Sequence, residues 1–166
     1  MFAKPRLFIP GPTPVPETVL TAMARPMINH RGKEFGAIFD DCTAGVKWLL
    51  QTEGDVFHLN GSGTAGLETA IVNFFSPGDK ILNLITGVFG RRFAKIAKAF
   101  GLDSRSLEFP LGQGVDPAKV REALAEGGYK AVLVTHNETS TGILNPVADV
   151  AAIAREYNAL IFVDAI

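Results

Sequence analysis

An α/β fold, with a mostly parallel sheet covered by helices on both faces, is what this sequence predicts. Three observations carry that reading. The apolar stretches at 80–85, 130–135 and 159–163 lack the polar alternation of a half-solvated strand. Segments of helical periodicity lie between them. Turn-forming residues punctuate the chain, as in SPGD at 76–79. Strands buried on both faces and separated by helices form parallel sheets.

The elements follow in order. The stretch PRLFIPGPTPVP (5–16) holds five prolines and reads as an extended arm, assigned to residues 1–16. Helical periodicity appears at 17–25 and 35–50. Residues 55–59 form a short strand candidate. A helix is expected over 64–75, a turn at 76–79 and a strand over 80–85. A helix over 89–100 and a possible strand over 104–109 come next. Asp116 and Pro117 open a helix running to about Glu126, with aspartate as N-cap and proline in the first turn. The β-branched run 130–135 is a buried strand, 146–157 a helix and 159–163 another buried strand. Residues 17–166 are expected to be part of a large domain.

Bulk composition narrows the function classes. The chain has 166 residues, 47% of them hydrophobic, enough for a real core. The net charge of −1 gives no reason to expect nucleic acid or an anionic membrane as partner. The single cysteine, Cys42, excludes an internal disulfide and fits a reducing cytoplasm. No apolar run approaches the roughly 20 residues of a membrane span, and the N-terminus lacks the apolar core of a signal peptide. A cytoplasmic protein is expected.

Ligands of parallel α/β sheets bind at the carboxyl ends of the strands, and four places there stand out. Asn60 to Gly66 (NGSGTAG) opens a helix, whose free amides and positive dipole end suit a phosphate. The same residues satisfy G-x-G-x-x-G. A dinucleotide fingerprint also needs an acidic residue about 20 positions on, after the next strand, and TGV (86–88) offers no carboxylate. Phe89 could cover a planar ligand, although spacing alone favours ordinary core packing. HNETSTG (136–142) places polar residues directly after a buried strand, which is costly unless they bind something or build the loop. His136 and Glu138 lack a third ligand of suitable spacing for a metal. Asp164 ends an apolar strand, where a desolvated carboxylate wants a cationic partner or caps a following helix. Together the four match a phosphorylated heteroaromatic ring better than a nucleotide.

In this order and at these spacings, the motifs resemble the class V aminotransferase family of fold-type I pyridoxal-phosphate (PLP) enzymes. The likeness is to the alanine–glyoxylate and serine–glyoxylate branch and covers essentially the whole chain. PGPTPVP (10–16) resembles the family's N-terminal arm, and GSGTAGLETA (61–70) its phosphate segment. GVFGRR (87–92) resembles its ring-stacking segment, HNETSTG its cofactor loop and VDAI (163–166) its strand-end aspartate motif. The resemblance implies that Ser62, Gly63 and Thr64 bind the cofactor phosphate and that Phe89 stacks on the pyridine ring. It implies that Thr139 bonds the ring hydroxyl region, Asp164 pairs with the ring nitrogen and Ile166 covers the other ring face. Gly11 would line the substrate end. Thr64 stands where some relatives have histidine.

The implied activity is ping-pong amino transfer from an amino acid, alanine or serine, to a 2-oxo acid such as glyoxylate. The implied assembly is a homodimer with the arm reaching toward the partner subunit. The family's Schiff-base lysine lies beyond the strand-end aspartate, and this sequence stops two residues after Asp164. The chain is therefore expected to be the N-terminal part of the family fold, and inactive alone. Lys80 and Lys130 begin strands, at the wrong end of the sheet. Lys95, Lys98 and Lys119 fall in helices, and Lys4, Lys33 and Lys47 in the N-terminal region. Two other readings stay open: a nicotinamide-dependent oxidoreductase built on GSGTAG, and a non-catalytic fragment or binding partner.

Overall fold

The computed structural model describes residues 7–166; residues 1–6, the start of the expected arm with Lys4 and Pro5, lie outside the described residues. The chain divides into two units, 1–59 and 60–166.

In the first unit, extended chain leads to α1 (Glu17–Met23) and α2 (Lys33–Leu50). α1 starts directly after Pro16, whose ring pre-sets the backbone angle. α2 ends where Gln51 turns left-handed, φ 51°. Neither helix has a buried side chain. The strand expected over 55–59 is not formed. Among the described residues its amides find no backbone partner, and Phe57 is 80% exposed. Apolar, β-prone residues become a strand only where a neighbouring strand completes the ladder.

The second unit is the α/β layer structure. It comprises α3 (Gly63–Phe74), β1 (Lys80–Ile85), α4 (Val88–Ala99), β2 (Asp103–Glu108), α5 (Pro117–Ala125), β3 (Ala131–Thr135), α6 (Val147–Glu156) and β6 (Leu160–Asp164). Two short strands, β4 (Asn137–Glu138) and β5 (Ile143–Leu144), form an antiparallel hairpin after β3. The main sheet runs β2-β1-β3-β6, and all its pairings are parallel.

Local signals explain the element ends. Gly78, at φ 88°, makes the turn in which Asp79 Oδ2 accepts from Ser76 N at 2.8 Å. Asp116 Oδ1 accepts from Ala118 N at 2.9 Å, with Pro117 in the first turn. Ser62 caps α3 by accepting from Ala65 N.

The core lies on both sheet faces, because β1 and β3 alternate between two buried layers. Leu82, Leu84, Val132 and Val134 pack with Val120 and Leu124 of α5 and Val150 and Ile153 of α6. Ile81, Ala131 and Leu133 pack with Leu67 and Ile71 of α3 and Phe93 and Ala97 of α4. Each fully buried aliphatic or aromatic side chain contributes roughly 1.5–3 kcal/mol of transfer free energy. β2, at the sheet edge, is polar and mostly exposed, as an edge strand should be.

The connections set the site. From β1 the chain passes through α4 to β2 on one side, then through α5 to β3 on the other side of β1. The loops leaving β1 and β3 therefore diverge to opposite faces. That divergence is a topological switch point, and it opens a crevice at the carboxyl ends of the strands.

Candidate functional site

An open cavity of about 210 Å³ lies at that crevice, lined by Ser62, Gly63, Thr64, Leu67, Phe89, Arg92, Thr135, Asn137, Thr139, Asp164 and Ile166. Seven of the residues singled out in the sequence meet here: Ser62, Gly63, Thr64, Phe89, Thr139, Asp164 and Ile166. Gly11 belongs to the first unit.

One wall is the first turn of α3. The Ser62 hydroxyl satisfies Ala65 N at 3.3 Å. The amides of Gly63 and Thr64 occupy first-turn positions that have no partner within the helix, and they form an anion-attracting end. Arg92 adds positive charge. Its Nη1 donates to Thr64 Oγ1 at 3.3 Å, and its guanidinium lies 5.0 Å from the centre of the Phe89 ring. No described carboxylate pairs with Arg92, whereas neighbouring Arg91 pairs with Glu108 at 2.8 Å. Arg92 was not singled out in the sequence; its signal was a cation one helical turn beyond Phe89.

Phe89 sits in the first turn of α4, which has no capping side chain of its own because its N-cap is Gly87. The cap comes from the loop after β3. Glu138, fully buried, accepts from Phe89 N at 3.1 Å and Gly90 N at 3.0 Å. Ser140 Oγ accepts from Val88 N at 3.0 Å and donates to Glu138 Oε1 at 2.5 Å. Burial pushes the Glu138 carboxyl up, but the bonds from Ser140 Oγ and from the amides of Gly90, Phe89 and Ser140 outweigh it. The group is held below the ordinary carboxylate range. A Cβ on Gly87 would lie 2.4 Å from Ser140 Oγ and 2.5 Å from Glu138 Cγ, so only glycine allows this close approach.

The cofactor-loop motif is the β4–β5 hairpin. Thr141 N and Gly142 N both donate to Glu138 O, and Gly142 takes φ 71° to close the turn. Asn145 anchors its base from within the protein. Its Nδ2 donates to Thr86 Oγ1 and to Thr135 O, and its Oδ1 accepts from Val115 N. The hairpin presents Asn137 and Thr139 to the cavity.

The floor is formed by the ends of β3 and β6. Thr135 and Asp164 are register partners, 3% and 7% exposed. Asp164 Oδ1 accepts from Ile166 N at 3.3 Å. Thr135 Oγ1 has no hydrogen-bond partner.

The described lysines lie elsewhere. Lys80 Nζ donates to Gly127 O at 2.9 Å and Lys130 Nζ to Asp79 at 2.6 Å, both at the amino ends of their strands. No described lysine lines the cavity. The cavity offers an anion-attracting helix end, an aromatic ring, side-chain hydroxyls and a buried carboxylate. Such a set is chemically able to hold a flat, phosphorylated, protonatable ring.

Comparison with known proteins agrees with that chemistry. The family described as Aminotransferase class-V matches residues 7–166. An uncharacterized aminotransferase of Methanocaldococcus jannaschii is 44% identical over 164 residues, covering 98% of this chain and 43% of that protein. The L-aspartate–glyoxylate aminotransferase of Paracoccus denitrificans is 42% identical, covering 96% of this chain and 42% of that protein. The crystal structure of the ureidoglycine–glyoxylate aminotransferase of Bacillus subtilis superimposes with a TM-score of 0.92 at 28% identity, covering 98% of this chain and 43% of that one. The chain thus spans well under half the length of the relatives it matches.

Proposed function

Since the chain belongs to the class V aminotransferase family, we propose that it supplies the cofactor-binding part of a PLP-dependent aminotransferase. The transfer runs from an amino acid, alanine or serine, to a 2-oxo acid such as glyoxylate. The observation that carries this reading is the convergence of the α3 amino end, Phe89 and the buried carboxylate of Asp164 on one cavity.

The residues fit PLP by their own chemistry. The first-turn amides at Gly63 and Thr64, with the hydroxyls of Ser62 and Thr64, hold a phosphate; Arg92 adds countercharge. Phe89 covers one ring face and Ile166 the other. Thr139 bonds the ring hydroxyl region. A carboxylate only 7% exposed is desolvated and gains most from a cationic hydrogen-bond donor, which a protonated pyridine nitrogen provides. The Thr135 hydroxyl, buried and without a hydrogen-bond partner, lies on the same floor as Asp164.

When bound, PLP supplies an electron sink for the bond-breaking steps at the amino acid's α-carbon. The chain's part is to anchor, to orient and to hold a proton on the ring nitrogen through Asp164. The family resemblance assigns Gly11 to the substrate end, residues 1–16 to an arm and 17–166 to the cofactor-binding large domain. The working unit is a cytoplasmic homodimer. A nicotinamide site on GSGTAG is disfavoured because TGV at 86–88, after the next strand, offers no carboxylate for a ribose.

The test is Asp164→Ala in the complete protein. Removing one member of a buried charged pair costs on the order of 3–5 kcal/mol. Turnover should collapse while the phosphate anchor retains measurable PLP binding. Near-normal turnover overturns the assignment.

A further inference from the structure

Thr135 and Asp164 face each other across β3 and β6. In-register residues on adjacent parallel strands project to the same face, with the strands roughly 4.8 Å apart. Both residues line the cavity and both are buried. Thr135 Oγ1 nevertheless has no partner, and the one hydrogen bond to the Asp164 carboxylate among the described residues is the 3.3 Å contact from Ile166 N. Asn145 Nδ2 donates to the Thr135 carbonyl rather than to its hydroxyl. An unpaired buried hydroxyl is unfavourable, and here it lies beside a carboxylate with accepting capacity to spare.

We infer that Thr135 is a positioning residue for Asp164. Its hydroxyl donates to the carboxylate oxygen turned away from the bound ring and holds the other oxygen on the ring nitrogen. A step between staggered χ1 wells brings the hydroxyl round. The bond has a charged acceptor, and a ring filling the cavity excludes water from it, so it forms in the loaded state. The inference rests on the PLP reading above.

Thr135→Val keeps the shape and removes the hydroxyl; Thr135→Ser keeps the hydroxyl. The measurements are PLP affinity by absorbance titration and thermal unfolding of the cofactor-free protein, both on the complete protein. Thr135→Val should leave cofactor-free melting unchanged or raised, since the hydroxyl has no partner there. It should weaken PLP affinity about tenfold, and Thr135→Ser should restore it. In an Asp164→Ala background, which leaves no side-chain acceptor, Thr135→Val should add little further loss, because the hydroxyl acts through the carboxylate. Equal affinity of wild type and Thr135→Val, or the same loss in both backgrounds, overturns the role of Thr135 alone. A loss of cofactor-free stability without a loss of affinity does so too. A wild-type protein that binds no PLP overturns the functional reading, and this inference with it.

Discussion

Gly63 is where backbone and ligand compete for the same space. A Cβ built there would lie 2.1 Å from Ile166 Cδ1. That neighbour is the tip of a flexible side chain on a residue 83% exposed, so it can move aside at little cost. The proposed consequence therefore falls on binding, not on folding. Gly63→Val should change unfolding free energy by less than about 1 kcal/mol. It should weaken PLP binding, because the side chain holds the phosphate off the first-turn amides and displaces Ile166. Unchanged affinity in a PLP titration would count against the phosphate cradle.

The helix α4 depends on a cap that its own sequence lacks. Glu138 and Ser140 supply it across the molecule, and in doing so tie the first turn, with Phe89, to the hairpin that presents Thr139. Glu138→Gln weakens charge-assisted bonds to Phe89 N, Gly90 N and Ser140, at a cost of about 1–3 kcal/mol. The pH dependence has a definite sign. The folded-state carboxyl is depressed, so its stabilisation is complete above the unfolded value, roughly 4.3. It is lost as pH falls through the lower folded value. Thermal unfolding followed from neutral pH into the acid range should show wild type losing more stability than Glu138→Gln. Parallel curves would mean that the cap does not depend on the charge.

The sheet has a chemical polarity that the lysines reveal. Its carboxyl end gathers the cavity residues, while Lys80 and Lys130 bond at its amino end. Carbonyl chemistry on PLP requires an amine held near the aldehyde, with enough of it unprotonated to attack; an exposed lysine has a pKa near ~10.4. The described residues bring no lysine to the cavity. The 166-residue chain incubated with PLP, reduced with borohydride and peptide-mapped should therefore give no stoichiometric, single-site lysine adduct. One such adduct would mean that the chain carries its own catalytic amine.

Residue order alone made legible whatever depends on near neighbours. Apolar runs marked β1, β3 and β6, and Asp116-Pro117 marked the start of α5. The 60–66 turn, Phe89, the 136–142 loop and Asp164 stood out by their places after strands or at a helix start, whereas the roles of Thr139 and Ile166 came from the family resemblance and Arg92 was not singled out. Caps and periodicity act over about four residues, so they are written locally. Tertiary structure decided the rest. Whether 55–59 becomes a strand depends on a partner edge, and apolar content does not supply one. The Glu138 cap joins residues 49 apart in the chain, with no local signal beyond a helix that begins on glycine. Thr135 read as one more core position of a buried strand. Its register opposite Asp164 and its unpaired hydroxyl exist only once β3 and β6 lie side by side, because hydrogen-bond satisfaction belongs to the packed pair and not to either strand.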